Sequence, residues 1–111
     1  MSTEQLKESV KLILIQWEQH KPELEKVYAI RDERRMALLQ PAIDQLASLV
    51  ENSGTEVNTF TGKTHFVLAP NNYQERIDFI RVQRTSHYAL IQLTMLYDEV
   101  KKKAARLRVQ S

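Results

Sequence analysis

Residues 73–111 read YQERIDFIRVQRTSHYALIQLTMLYDEVKKKAARLRVQS and contain neither glycine nor proline. So long a run without a breaker predicts one helix from Tyr73 to about Arg108, roughly 55 Å at 1.5 Å per residue. Stepped at 100° per residue, Tyr73, Ile77, Ile80, Tyr88, Ile91 and Met95 fall on one side. Phe79, Val82, Leu90, Leu93, Tyr97, Val100 and Ala104 fall on the opposite side. A helix apolar on opposite sides must be covered on both. Two-fold dimers are the commonest oligomers and need one self-complementary patch. The expectation is a homodimer with Phe79, Val82, Leu90, Leu93, Tyr97 and Val100 as the subunit contact. A helix sandwiched within a monomeric bundle is the alternative.

Upstream of this run, Pro70-Asn71-Asn72 marks a boundary, and Asn71 with Gln74, or Asn72 with Glu75, offers a helix cap. Between residues 55 and 70 the β-formers Thr55, Val57, Thr59, Phe60, Thr64, Phe66 and Val67 flank Thr61-Gly62-Lys63. That pattern predicts a β-hairpin, and an isolated hairpin must lean on helices or pair with another edge.

Towards the N-terminus, Ser2 and Gln5 form a capping-box pair, and Leu6, Val10, Ile13, Leu14 and Trp17 recur at helical spacing. This first helix is expected to end near His20 or Lys21, because the residue before a proline is driven from helical geometry. Pro22 then suits the first turn of a second helix, carried by Leu24, Val27, Tyr28, Leu38, Leu39, Ala42, Leu46 and Leu49 as far as Asn52-Ser53-Gly54. Pro41 lies inside it and predicts a kink near Gln40. The expected fold is a mainly α single domain over residues 1–111. It is a small bundle of three long helices, the second kinked at Pro41, with a short β-hairpin inserted before the last.

Composition agrees with that class. The 111 residues are 42% hydrophobic and 27% charged, with two glycines and three prolines, too few turns for a sandwich or barrel. With no cysteine, disulfides and thiolate metal sites are excluded. The longest apolar stretch, Val10 to Trp17, is short of the roughly 20 residues of a membrane span. It also has no basic leader, so a soluble, cytoplasmic protein without membrane association is expected. The net charge of +2 is uneven. Lys101, Lys102, Lys103, Arg106 and Arg108 form a basic C-terminal tail (residues 101–111) with no acid, while the preceding residues are net acidic. The pI of about 9.0 therefore belongs to the tail.

Candidate chemistry is sparse. Gly62-Lys63-Thr64 ends like a phosphate-binding loop, but Val57 stands where its first glycine belongs. No nucleophile-elbow glycines surround a serine. His20, His65 and His87 are far apart in sequence, so no metal site and no cofactor are expected. Arg31 and Arg35 fall on the stripe of Leu24, Tyr28, Leu38 and Ala42, and Arg84 falls between Ile80 and Tyr88. Buried arginine is rare unless paired. The options are ion pairs with Asp32, Glu33 or Asp78, or a cationic pocket of Arg31, Arg35, Arg84 and His87 for a phosphate, carboxylate or acidic peptide. The five tail cations are candidates for non-specific nucleic-acid contact.

Arg81 and His87, with five residues between them, resemble in spacing the ribonuclease motif of HEPN domains, which are small all-α folds. The resemblance implies an RNA-cleaving pair. On one helix the two positions sit about 120° apart, so they would converge only across a dimer, and Val82 stands where the resemblance asks for a polar residue. The preferred reading is a non-enzymatic interaction protein: an adaptor, inhibitor or regulatory subunit with a protein partner, working through helix faces as a homodimer. A nucleic-acid-associated regulator using the basic tail is the alternative, and a HEPN-like ribonuclease using Arg81 and His87 the second.

Overall fold

Four helices and one hairpin make up the computed structural model, which describes residues 2–107. The first helix, α1 (Thr3–Ala29), begins at the expected capping box: the Gln5 amide donates to Ser2 Oγ (3.2 Å) and the Ser2 amide to Gln5 Oε1 (3.0 Å). It does not stop at Pro22. Leu6, Val10, Trp17, Leu24, Val27 and Tyr28 are buried along one stripe that stays in phase through the proline. An interior proline costs a helix about 3 kcal/mol, whereas each fully buried large apolar side chain contributes about 1.5–3 kcal/mol. Three such residues beyond Pro22 outweigh the lost backbone bond, so the expected break is absent.

The break falls instead at residues 30–34. The Asp32 amide donates to Val27 O (2.8 Å) and the Arg31 amide to Tyr28 O (3.3 Å). That pattern is a Schellman termination, with Arg31 at φ 53° in the left-handed position usually held by glycine. The Asp32 carboxylate then accepts from the Arg34 amide (2.8 Å), and α2 (Arg35–Glu51) follows. Pro41 lies inside α2, which continues through it as one element carrying Leu39, Ile43, Leu46 and Val50 into the core. The second helix therefore starts thirteen residues later than expected.

The hairpin is present. Strands β1 (Thr55–Val57) and β2 (Thr64–Phe66) pair antiparallel, with Glu56 opposite His65. Asn58 organises its turn by accepting the Phe60 and Thr61 amides (2.9 and 3.2 Å). The hairpin is tethered to α2 through buried Ser53, whose hydroxyl donates to Val50 O (2.6 Å) and accepts the Leu68 amide (3.2 Å).

The expected single last helix is two: α3 (Tyr73–Val82) and α4 (His87–Arg106). Asn72 occupies the cap position of α3 but makes no side-chain cap bond. Ser86 caps α4 by accepting the Tyr88 amide (3.1 Å). The interruption resets the helical phase. Tyr73, Ile77 and Ile80 from one expected face enter the same core as Leu90, Leu93, Tyr97, Val100 and Ala104 from the other. A chain apolar on two sides has thus been folded so that the buried half of each side faces inward.

Helices α1 and α4 run antiparallel. Trp17 stacks on Tyr97 with ring centroids 4.2 Å apart and planes 3° from parallel, and the Tyr97 hydroxyl reaches across to Ala42 O (2.6 Å). Arg76 of α3 and Glu99 of α4 form a two-point ion pair that ties those helices together.

Candidate interaction site

The two helix breaks meet. Tyr28, at the end of α1, donates its hydroxyl to Arg84 O (2.6 Å) in the α3–α4 corner. Burial pushes that hydroxyl up to about 12, against the pull of the Arg35 and Arg84 charges. Arg35 Nε donates to Thr85 O (3.1 Å), and its Nη1 donates to Arg31 O (3.2 Å) and Asp32 O (2.9 Å). One guanidinium thereby satisfies carbonyls at both corners, where helix C-termini leave acceptors without partners. Arg84 Nη1 donates to Gln40 Oε1 (2.7 Å), and the His87 ring lies 6.3 Å from that of Tyr28.

Of the expected cationic pocket, then, the structure gathers Arg35, Arg84 and His87 around Tyr28. Arg31 contributes its carbonyl there, while its side chain is exposed. Three of the Arg35 bonds go to main-chain oxygens, and Arg84 holds Gln40. These bonds staple the corners together. The expected ion pairs also fall elsewhere: Asp32 binds Arg34 (2.9 Å) and Asp78 lies 3.7 Å from Arg81. The Arg34 bonds hold the Asp32 carboxyl well down, at about 2.

The expected dimer face divides. Leu90, Leu93, Tyr97 and Val100 lie inside the subunit's own core, whereas Phe79 and Val82 remain exposed. The helical phase set by the α3–α4 corner turns a different stripe outward: Tyr88, Ile91 and Met95, 66, 45 and 47% exposed at i, i+3 and i+7 of α4. Phe79 borders a shallow groove with Gln92, which brings α3 to the edge of that stripe.

The basic tail divides too. Lys102, Lys103 and Arg106 border a hollow of about 290 Å³ with Pro70, Asn71 and Glu99, and Lys102 also pairs with Asp98 (2.9 Å). Lys101 lies on another flank, and Arg108 is outside the described residues. Arg81 and His87 stand on different helices, the first beside Asp78 and the second beside Tyr28. Among the described residues no group of three or more metal-ligating side chains forms, and no helix is long and apolar enough to cross a membrane.

A groove with an apolar lining lies along the α1–α4 seam. Its volume is about 640 Å³, and it is bordered by Lys7, Val10, Lys11, Leu14, Ile15, Glu18, Gln19, Lys101, Ala104 and Ala105. It adjoins a second hollow of about 260 Å³ that reaches Trp17, Lys21, Met95 and Tyr97.

A family model described as YpoC-like protein matches residues 7–111, all but the first six residues of the chain. The chain belongs to the YpoC-like family. No curated protein and no solved structure matches it.

In this YpoC-like chain the surface that sequence reasoning missed is the α1–α4 groove. Its signal was present in two places. Lys7, Lys11, Leu14, Glu18 and Lys21 recur at spacings of four and three along one flank of α1. The Ala104-Ala105 pair removes bulk from the facing turn of α4.

Proposed function

We propose that this YpoC-like protein is a non-enzymatic interaction protein, an adaptor, inhibitor or regulatory subunit, which works in the cytoplasm as a homodimer through its outward helix faces. The observation that carries the reading is the exposed stripe of Tyr88, Ile91 and Met95 with Phe79 at its edge. Apolar side chains contiguous on a helix surface mark association sites, because water leaves them on contact. Two ion pairs border the stripe, Asp98 with Lys102 and Arg76 with Glu99.

Sedimentation equilibrium over a range of protein concentrations tests it. The wild type should associate, and Ile91→Glu with Met95→Glu should sediment as a monomer while keeping its circular dichroism. A wild type that is monomeric throughout ends the dimer reading. RNA should not be cleaved, and loss of a cleavage activity in His87→Ala would replace the reading with the enzymatic one.

The hollow bordered by Lys102, Lys103 and Arg106 favours a second reading, non-specific nucleic-acid contact. Glu99 within the same hollow and the pairing of Lys102 with Asp98 weigh against it. Oligonucleotide retention that falls steeply with salt would support this reading.

A further inference from the structure

We propose that the groove between α1 and α4 receives an amphipathic helix from a partner protein, with its apolar face on the groove floor and acidic side chains along its flank. The inference rests on reading the chain as an interaction protein, and it concerns the α1–α4 groove, which meets the α4 stripe only at Met95.

The first argument is shape. The two hollows share Leu14, Glu18 and Lys101, so they form one trough along the seam. From Lys7 to Lys21 it follows α1 for about 21 Å, the length of a four-turn helix. The molecule is 17 Å through its thinnest direction, about two helix layers. One side of the seam is already taken, since Gln45 of α2 donates to Gln16 on the far flank of α1 (3.1 Å). The groove is the vacant side, where one more helix would complete the packing.

The second argument is chemistry. The floor is apolar: Val10, Leu14, Ala104 and the stacked Trp17–Tyr97 pair, with Ile15 and Met95 partly exposed at its margins. Helix-in-groove recognition uses such a floor for residues spaced i, i+3, i+4 and i+7. The rim carries Lys7, Lys11, Lys21 and Lys101, none in an ion pair among the described residues. The acids of the rim are Glu18 and Asp98, and Asp98 is neutralised by Lys102. The trough therefore presents an unbalanced positive edge that complements carboxylates.

Trp17, the only tryptophan of the chain, sits in that floor and reports on occupancy. The test titrates two synthetic helical peptides of about 18 residues into the full-length protein. They share leucines at the four anchor spacings and differ only in carrying glutamate or lysine on the flanks. The glutamate peptide should shift Trp17 emission and bind at least about ten-fold more tightly than the lysine peptide, with the preference shrinking at high salt. Lys11→Glu with Lys101→Glu, both at exposed positions, should reverse the preference. Equal affinity for both peptides, no binding of either, or an unchanged preference in the double variant overturns the proposal. It is also overturned if vesicles of phosphatidylcholine and phosphatidylglycerol shift Trp17 emission while the glutamate peptide does not. The same holds if Lys11→Glu with Lys101→Glu abolishes self-association, which gives the groove to a second copy. Association that persists in that double variant, yet is lost in Ile91→Glu, which lies outside the groove lining, leaves the interaction reading standing whatever the peptides do.

Discussion

Residues 20–24 contain a proline and stay helical, whereas residues 83–86 contain neither proline nor glycine and do not. The two regions have opposite local chemistry and opposite outcomes. In both, the apolar phase on either side decides. Trp17 and Leu24 lie on one stripe seven residues apart, so a continuous α1 buries both. Ile77 and Leu93, both buried, would stand about 160° apart on an unbroken helix, so burying both requires the chain to stop and restart. Ser86 then supplies the cap that makes restarting inexpensive. Tertiary burial, summed over several residues, overrides a propensity of a few kcal/mol.

Breaking that comparison at its strongest point means removing the burial beyond the proline. Leu24→Ala should cost about 2–5 kcal/mol in urea unfolding. A cost below about 1 kcal/mol would mean that burial beyond Pro22 does not hold the helix together. Removing the proline tests the other side. Pro22 is exposed, so Pro22→Ala restores a backbone bond without touching the core and should stabilise by up to about 3 kcal/mol. A destabilised Pro22→Ala would show that the proline is required where it stands.

At the corners, Arg35→Met removes three donors to main-chain oxygens and should cost about 1–3 kcal/mol. Amide exchange should accelerate at both corners together, and a change confined to one would show that the two are not coupled. Ser86→Ala should cost about 1 kcal/mol by the same unfolding measurement, the usual value of an N-cap.

The smallest effect is a pH dependence. The Asp32 carboxyl is lowered from 3.8 to about 2 by its Arg34 bonds. Stability from that turn is thus fully present above about pH 4 and is lost as pH falls towards 2. Asp32→Asn should remove that contribution at neutral pH and flatten the acid slope, with the slope from neutral to mildly alkaline pH unaltered.

Much of this fold was legible from local signals. The Ser2–Gln5 box, the β-formers around Gly62 and the helical class each depend on near neighbours, and all three are present. The helix boundaries depend instead on phase over longer range. The stripe that continues past Pro22 outweighs the proline, and the phase slip between Ile77 and Leu93 outweighs the absence of glycine and proline after residue 73. The two-sided pattern is met within one chain only in part: the corner turns Ile77, Ile80, Leu90, Leu93, Tyr97 and Val100 inward, while Tyr88, Ile91, Met95, Phe79 and Val82 stay outside. The corner at residues 30–34 left almost no trace, because Arg31 holds a left-handed conformation that its type does not advertise. The gathering of Arg35, Arg84 and His87 was legible as a set of positively charged or chargeable side chains. Their use on carbonyls was not, because main-chain acceptors are invisible to sequence patterns.

Arg35 grips Thr85, Arg31 and Asp32 only by their carbonyl oxygens, which every amino acid supplies. Mutation at Thr85 or Arg31 leaves the lock's acceptors in place, whereas mutation at Arg35 removes the key. The coupling between the corners is therefore inherited through very few codons, that of Arg35 and that of Tyr28, whose hydroxyl likewise grips a carbonyl, Arg84 O. The loops it joins are free to change their side chains without coming apart.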